Sequence, residues 1–291
     1  MKPEIFDERI CILGEGPVSF GPNNNAVSWV DILGSRVLTR GIDTGETNEF
    51  DTKENVGFAI RRTNGGFVLG TNSGPVLRDP SGETSSLFSL QEVDPLTIEH
   101  SIRWNDAKVS PNGDLILGTM GYEMLTGTST LFRYSPRSKE LRVLLPQLTI
   151  SNGMDWSKDG STFFFIDSRT QSVNAYDYSN DGLVSRGPVI SIPSEDGAPD
   201  GMCIDSEGGI WVALWGGSQI RRYDSADHFK LTEKIDLPVP FVTSCAFAGA
   251  DLKTLVITTA TDGLSDLPPQ SGMTFAMKAG VSGNPSRVLD V

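Results

Sequence analysis

The sequence predicts an all-β fold: a six-bladed β-propeller of four-stranded blades, with residues 1–291 forming one domain. Three observations carry that expectation. A turn followed by an apolar, β-rich run recurs six times along the chain. A shorter alternating run follows each copy, as a half-exposed neighbouring strand would. The copies are spaced by 41 to 49 residues, the period of a propeller blade.

The elements can be justified in order. Three apolar runs nearly superimpose: NGGFVLGTNSG from Asn64, NGDLILGTMG from Asn112 and EGGIWVALWGG from Glu207. NNAVSWVDI from Asn24, DGSTFFFIDS from Asp159 and DLKTLVITTAT from Asp251 fit more loosely. Phrases such as STLFRYSPRS and SQIRRYDSAD supply the next strand, and ELRVLLPQ or LTEKIDLP a fourth, more polar one. The strand before each apolar run is the one expected to line the central channel. Its equivalent positions are Glu15, Val56, Asn105, Asn152, Asp200 and Thr243. Either PEIFDERI at the N-terminus or SRVLDV at the C-terminus could complete the last blade.

Composition narrows the function. A formal net charge of −13 makes nucleic acid and anionic membrane poor partners. Two histidines, His100 and His228, exclude a multi-histidine zinc site. Cys11, Cys203 and Cys245 form no CxxC pair, and an odd count is no disulfide framework. The N-terminus lacks the apolar core of a secretory signal, and no apolar run approaches the roughly 20 residues of a membrane span. The expectation is a cytoplasmic protein, a monomer or weak homo-oligomer, without membrane contact.

A carboxylate at the entrance of a buried strand, Asp200 in PDGMCIDSEGGIWVALWGG, then acquires a meaning. Equivalent positions of successive blades converge on the axis, so Asp200 belongs to a ring around the channel mouth. Two carboxylates and two amides in that ring offer oxygen to one divalent cation. Calcium or magnesium suits such a set, and zinc or manganese can tolerate it.

Several phrases resemble the SMP-30/gluconolactonase/luciferin-regenerating family, which includes regucalcin. They are LGEGPV, RWNDAKVSPNGDLILGTM, SNGMDWSKDG, PDGMCIDSEGGIWVALWGG, FVTSCAFAGADLKTLVITTA and PQSGMTFAMKAGVSGNP. The resemblance implies a six-bladed propeller with one cation at the channel mouth, calcium foremost. It places metal ligands at Glu15, Asn152 and Asp200, with Asp200 also the catalytic base. Substrate-holding groups fall on Arg103 and Asn105, and a further acid on Glu123. The implied activity is metal-dependent hydrolysis of a sugar lactone, a small-molecule substrate. Departures from the family pattern are Ser19 after GEGPV, where tryptophan is usual, and Ala107 in NDAK. Trp215 could stack on a sugar face or simply pack. Two alternatives stay open on the residues alone. One is an esterase or organophosphate hydrolase on the same propeller; the other is a non-catalytic propeller binding calcium or a protein.

Overall fold

A computed structural model describes residues 2–263 and 265–291. Six antiparallel four-stranded sheets stand in a ring, a six-bladed β-propeller. The inner strands of blades 1 to 6 are Gly14–Phe20, Val56–Arg61, Ile102–Val109, Ser151–Trp156, Ala198–Ile204 and Val242–Ala248.

Burial explains the composition of each strand. The second strand of blade 3, Leu115–Gly121, is buried at every residue, because sheets of neighbouring blades cover both its faces. A continuous apolar run is what such a position requires. The outermost strand of blade 5, Lys230–Asp236, alternates exposed and half-buried residues and reads as alternating sequence. The core is correspondingly divided. Six apolar clusters among the described residues each lie between adjacent blades, such as Trp211 and Ile220 against Phe247 and Leu255 between blades 5 and 6.

The N-terminus closes the ring. Glu4–Asp7 pairs antiparallel with Thr274–Lys278 as the outer strand of blade 6, with Glu4 opposite Ala276. The C-terminal stretch takes another place. Leu289 is buried in the cluster between blades 2 and 3, and its backbone bonds Arg61 and Thr63. Among the described residues no helix is long and apolar enough to cross a membrane.

One irregularity recurs in every blade. Each inner strand carries a β-bulge near its start, between Glu15 and Val18, Val56 and Ala59, Trp104 and Ala107, Ser151 and Met154, Pro199 and Met202, and Val242 and Ser244. A bulge re-aims side chains, and six at one level shape the channel mouth.

Candidate active site at the channel mouth

The inner strands run parallel to one another around the axis, and glycine lets them approach. A Cβ on Gly153 would lie 2.6 Å from the carbonyl oxygen of Asp200 and 2.8 Å from the amide of Met202. Blades 4 and 5 therefore touch backbone to backbone directly beside Asn152 and Asp200.

Glu15, Asn152 and Asp200 come together at this level. Asp200 neighbours both Asn152 and Glu15, whose side chains moderate the rise in its proton affinity. Asn152 and Asp200 are buried, while Glu15 is half-buried, its Oε2 accepting from the Gly16 amide at 3.1 Å. Asn152 donates through Nδ2 to Ser168 Oγ at 3.1 Å, which fixes the amide so that its oxygen is the atom left for a ligand. Asn105 donates to the Ser151 carbonyl at 2.8 Å and, more weakly, to Asn152 Oδ1 at 3.4 Å.

Arg103 is buried beside them. Its Nη1 donates to Asn105 Oδ1 at 2.7 Å and to the Trp104 carbonyl at 3.0 Å. Among the described residues it forms no ion pair, and its buried Nε has no partner. The guanidinium sits 5.8 Å from the ring centre of Tyr122. Tyr122 is in turn held by Asn55, whose Nδ2 donates to its hydroxyl at 2.8 Å. Glu123, the next residue, is exposed in the turn after Leu115–Gly121.

The electrostatics are those of negative charge only partly compensated by Arg103. Burial first, and then the charges of Asp200 and Asp106, push Glu15 well above the usual carboxylate range. Asp200 is raised by burial and next by Asp106. Asp200 Oδ1 is buried with no hydrogen-bond partner. An orphaned carboxylate oxygen next to a second acid and an oriented amide oxygen is a donor set that fits a hard divalent cation. Among the described residues no three of His, Cys, Asp and Glu group together as a metal cluster. Two carboxylates and one amide make up this set instead.

Two neighbours escaped the sequence reading. Tyr122 stands between the noted GTM and Glu123, yet its contact with Arg103 crosses from one strand to another and leaves no local signal. Asp106 follows Asn105 directly, and ordinary strand alternation would turn it away from the mouth. Elsewhere, Trp215 stacks on Phe241 with ring centres 4.2 Å apart and planes 11° apart, both half-buried. Cys203 and Cys245 are buried free thiols with Sγ atoms 3.5 Å apart. His100 is half-buried and His228 exposed.

Comparison with known proteins shows what the chain resembles. Residues 13–261 match the model of the SMP-30/gluconolactonase/LRE-like region. The chain is 33% identical to regucalcin of Danio rerio over 294 residues, covering 98% of this chain and 97% of that one. It is 33% identical over 264 residues to the Bacillus subtilis protein named "Putative sugar lactone lactonase YvrE", covering 88% and 86%. A regucalcin from Agrobacterium tumefaciens, described as a calcium-binding protein, superimposes with a TM-score of 0.89 at 25% identity, covering 100% of this chain and 98% of that one.

Proposed function

The chain belongs to the SMP-30/gluconolactonase/LRE-like family, and from that premise we propose that it is a hydrolase of sugar lactones working with one divalent cation. The observation that carries the reading is the convergence of Glu15, Asn152 and Asp200 around an orphaned carboxylate oxygen at the channel mouth. These three residues would hold the cation, calcium foremost, with magnesium, zinc or manganese as the other candidates. When bound, a cation of this kind polarises the lactone carbonyl and stabilises the oxyanion formed on attack.

The residues of this chain supply the rest. Water attacks the carbonyl carbon, and Asp200 accepts its proton. The bond from that carbon to the ring oxygen then breaks, and the proton passes to the released alkoxide to give the open hydroxy acid. Arg103, whose Nε has no partner, would hold substrate oxygens, and Asn105 orients the guanidinium through Oδ1. Tyr122 limits how far that guanidinium can swing. Glu123 could accept from a sugar hydroxyl at the rim.

The test is acid release from five- and six-carbon aldonolactones by metal-depleted protein, repleted cation by cation. Activity should return with a divalent cation. Asp200→Asn at saturating cation should remain about 10²–10⁴-fold slower in kcat, the usual cost of losing a general base. Undiminished hydrolysis by rigorously depleted protein would overturn the role of the cation. Wild-type kcat in Asp200→Asn would leave Asp200 as a ligand alone.

A further inference from the structure

The six bulges present two consecutive rings of residues at the mouth. The first is Glu15, Val56, Asn105, Asn152, Asp200 and Thr243; the second is Gly16, Gly57, Asp106, Gly153, Gly201 and Ser244. Four glycines and a serine make Asp106 the one ionisable side chain of the second ring. It borders a cavity of about 280 Å³ in the channel, which Gly16, Lys108, Asp155, Cys203 and Ser244 also line.

Among the described residues Asp106 has no direct ion-pair partner there, although the charge of Lys108 partly offsets the effect of burial on it. Its Oδ1 accepts from the Ala107 amide at 2.7 Å. The nearby ammonium is already taken, since Lys108 Nζ lies 2.6 Å from Asp155 Oδ2. Asp155 also accepts from the amides of Ile204 and Trp156, so that pair is closed upon itself. Asp106 stands in the ring directly after the one that holds Glu15, Asn152 and Asp200, and its chain neighbour Asn105 reaches Asn152 Oδ1 at 3.4 Å. Glu15, Asp106 and Asp200 against the single guanidinium of Arg103 leave an excess of two negative charges, which is the charge of one divalent cation.

We infer that Asp106 is a positioning residue that sets the affinity of the mouth for a divalent cation through its charge, without coordinating it. The inference rests on reading the mouth as a cation site, and it adds a residue that makes no contact with the ion. In a half-buried site such an interaction keeps much of its Coulomb strength, because the surroundings screen it less than water does. The same charge is unfavourable when no cation is present, so Asp106 should act with opposite sign on the two states.

Calcium titration of the metal-depleted full chain by calorimetry, with thermal melting of the depleted protein, tests this. Asp106→Asn keeps the shape and the bond from the Ala107 amide. It should weaken calcium binding by roughly tenfold or more at low ionic strength, while the depleted variant melts higher than the depleted wild type. A residue needed only for packing would lower that melting temperature. Calcium affinity within about twofold of wild type in Asp106→Asn would overturn the inference. Asp200→Asn is measured alongside. If it loses affinity and Asp106→Asn does not, the inference alone fails; if wild-type protein binds no calcium, the reading of the site fails with it. Lys108→Gln gives a second arm that does not depend on the folding of Asp106→Asn. It leaves Asp155 unneutralised beneath the mouth and should tighten calcium binding, and an unchanged or weaker affinity would count against Asp106 acting through charge.

Discussion

At the scale of single residues, the mouth concentrates groups whose proton affinities differ between the folded and unfolded chain. Burial raises Asp106 from its ordinary value of 3.8 to about 6, and Glu15 and Asp200 shift in the same direction. A carboxylate raised by folding binds more protons in the native state. Its contribution to stability is therefore complete below the ordinary carboxylate range and is lost as pH rises through the folded value. A bound divalent cation removes the cause of the shift by offsetting the clustered negative charge. The gap in melting temperature between calcium-loaded and chelator-treated protein should thus widen from about pH 4.5 to beyond pH 6. Paired melts across that range measure it. A gap that stays constant or narrows would mean that these carboxylates do not repel one another in the metal-free protein. Exposed acids such as Asp159, which hydrogen bonds from Ser157 and Ser161 lower to about 2, contribute equally to both curves and cancel.

At the scale of elements, the glycine after each candidate ligand is as much part of the site as the ligand. Gly153→Ala places a methyl group against the backbone of Asp200 and Met202, which cannot rotate away as a side chain would. Overpacking of that kind costs about 1–3 kcal/mol, and here it would also spread Asn152 from Asp200. Urea denaturation should show the loss, with weaker calcium binding beside it. Gly280→Ala is the matched control, because nothing lies within 4 Å of a Cβ there. Equal stabilities in the two variants would remove close strand approach from the account. The same level of structure decides what could be read beforehand. The repeated turn-and-apolar-run is local, so six blades and the positions of Glu15, Asn152 and Asp200 on inner strands followed from the chain itself. The bulges are not local in that sense. A one-residue slip between Trp104 and Ala107 depends on what the partner strand offers, and it brings Asp106 to the channel beside Asn105. Tyr122 reaches Arg103 through a similar tertiary arrangement, with Asn55 of another blade connection holding its hydroxyl.

At the scale of the whole molecule, a propeller must join its last blade to its first, and the two termini of this chain offered rival closures. Both carry a short β-prone stretch, so local propensity does not separate them. Pairing does. Glu4–Asp7 completes blade 6 alongside Thr274–Lys278, and the buried Asp7 anchors it through Arg9 at 2.9 Å and Arg40 at 3.6 Å. Arg9 continues onto the Thr39 and Asn48 carbonyls of blade 1, so the closing segment ties the last blade to the first. Deleting residues 2–8 would leave Thr274–Lys278 as an open edge, with unpaired backbone groups facing solvent. The six inner strands would still surround the channel, but blade 6 would lose its outer strand and its link to blade 1. The expected result is a loss of at least about 2 kcal/mol, a fall of about 3 °C or more in melting temperature for a chain of this size. Concentration-dependent aggregation should accompany it, because an unpaired edge recruits other strands. Thermal melting and light scattering on the deleted and full chains measure both effects. A deleted chain that melts like the full one and stays monodisperse would show that the ring holds without its N-terminal strand, and closure would then rest on the packing between blades alone.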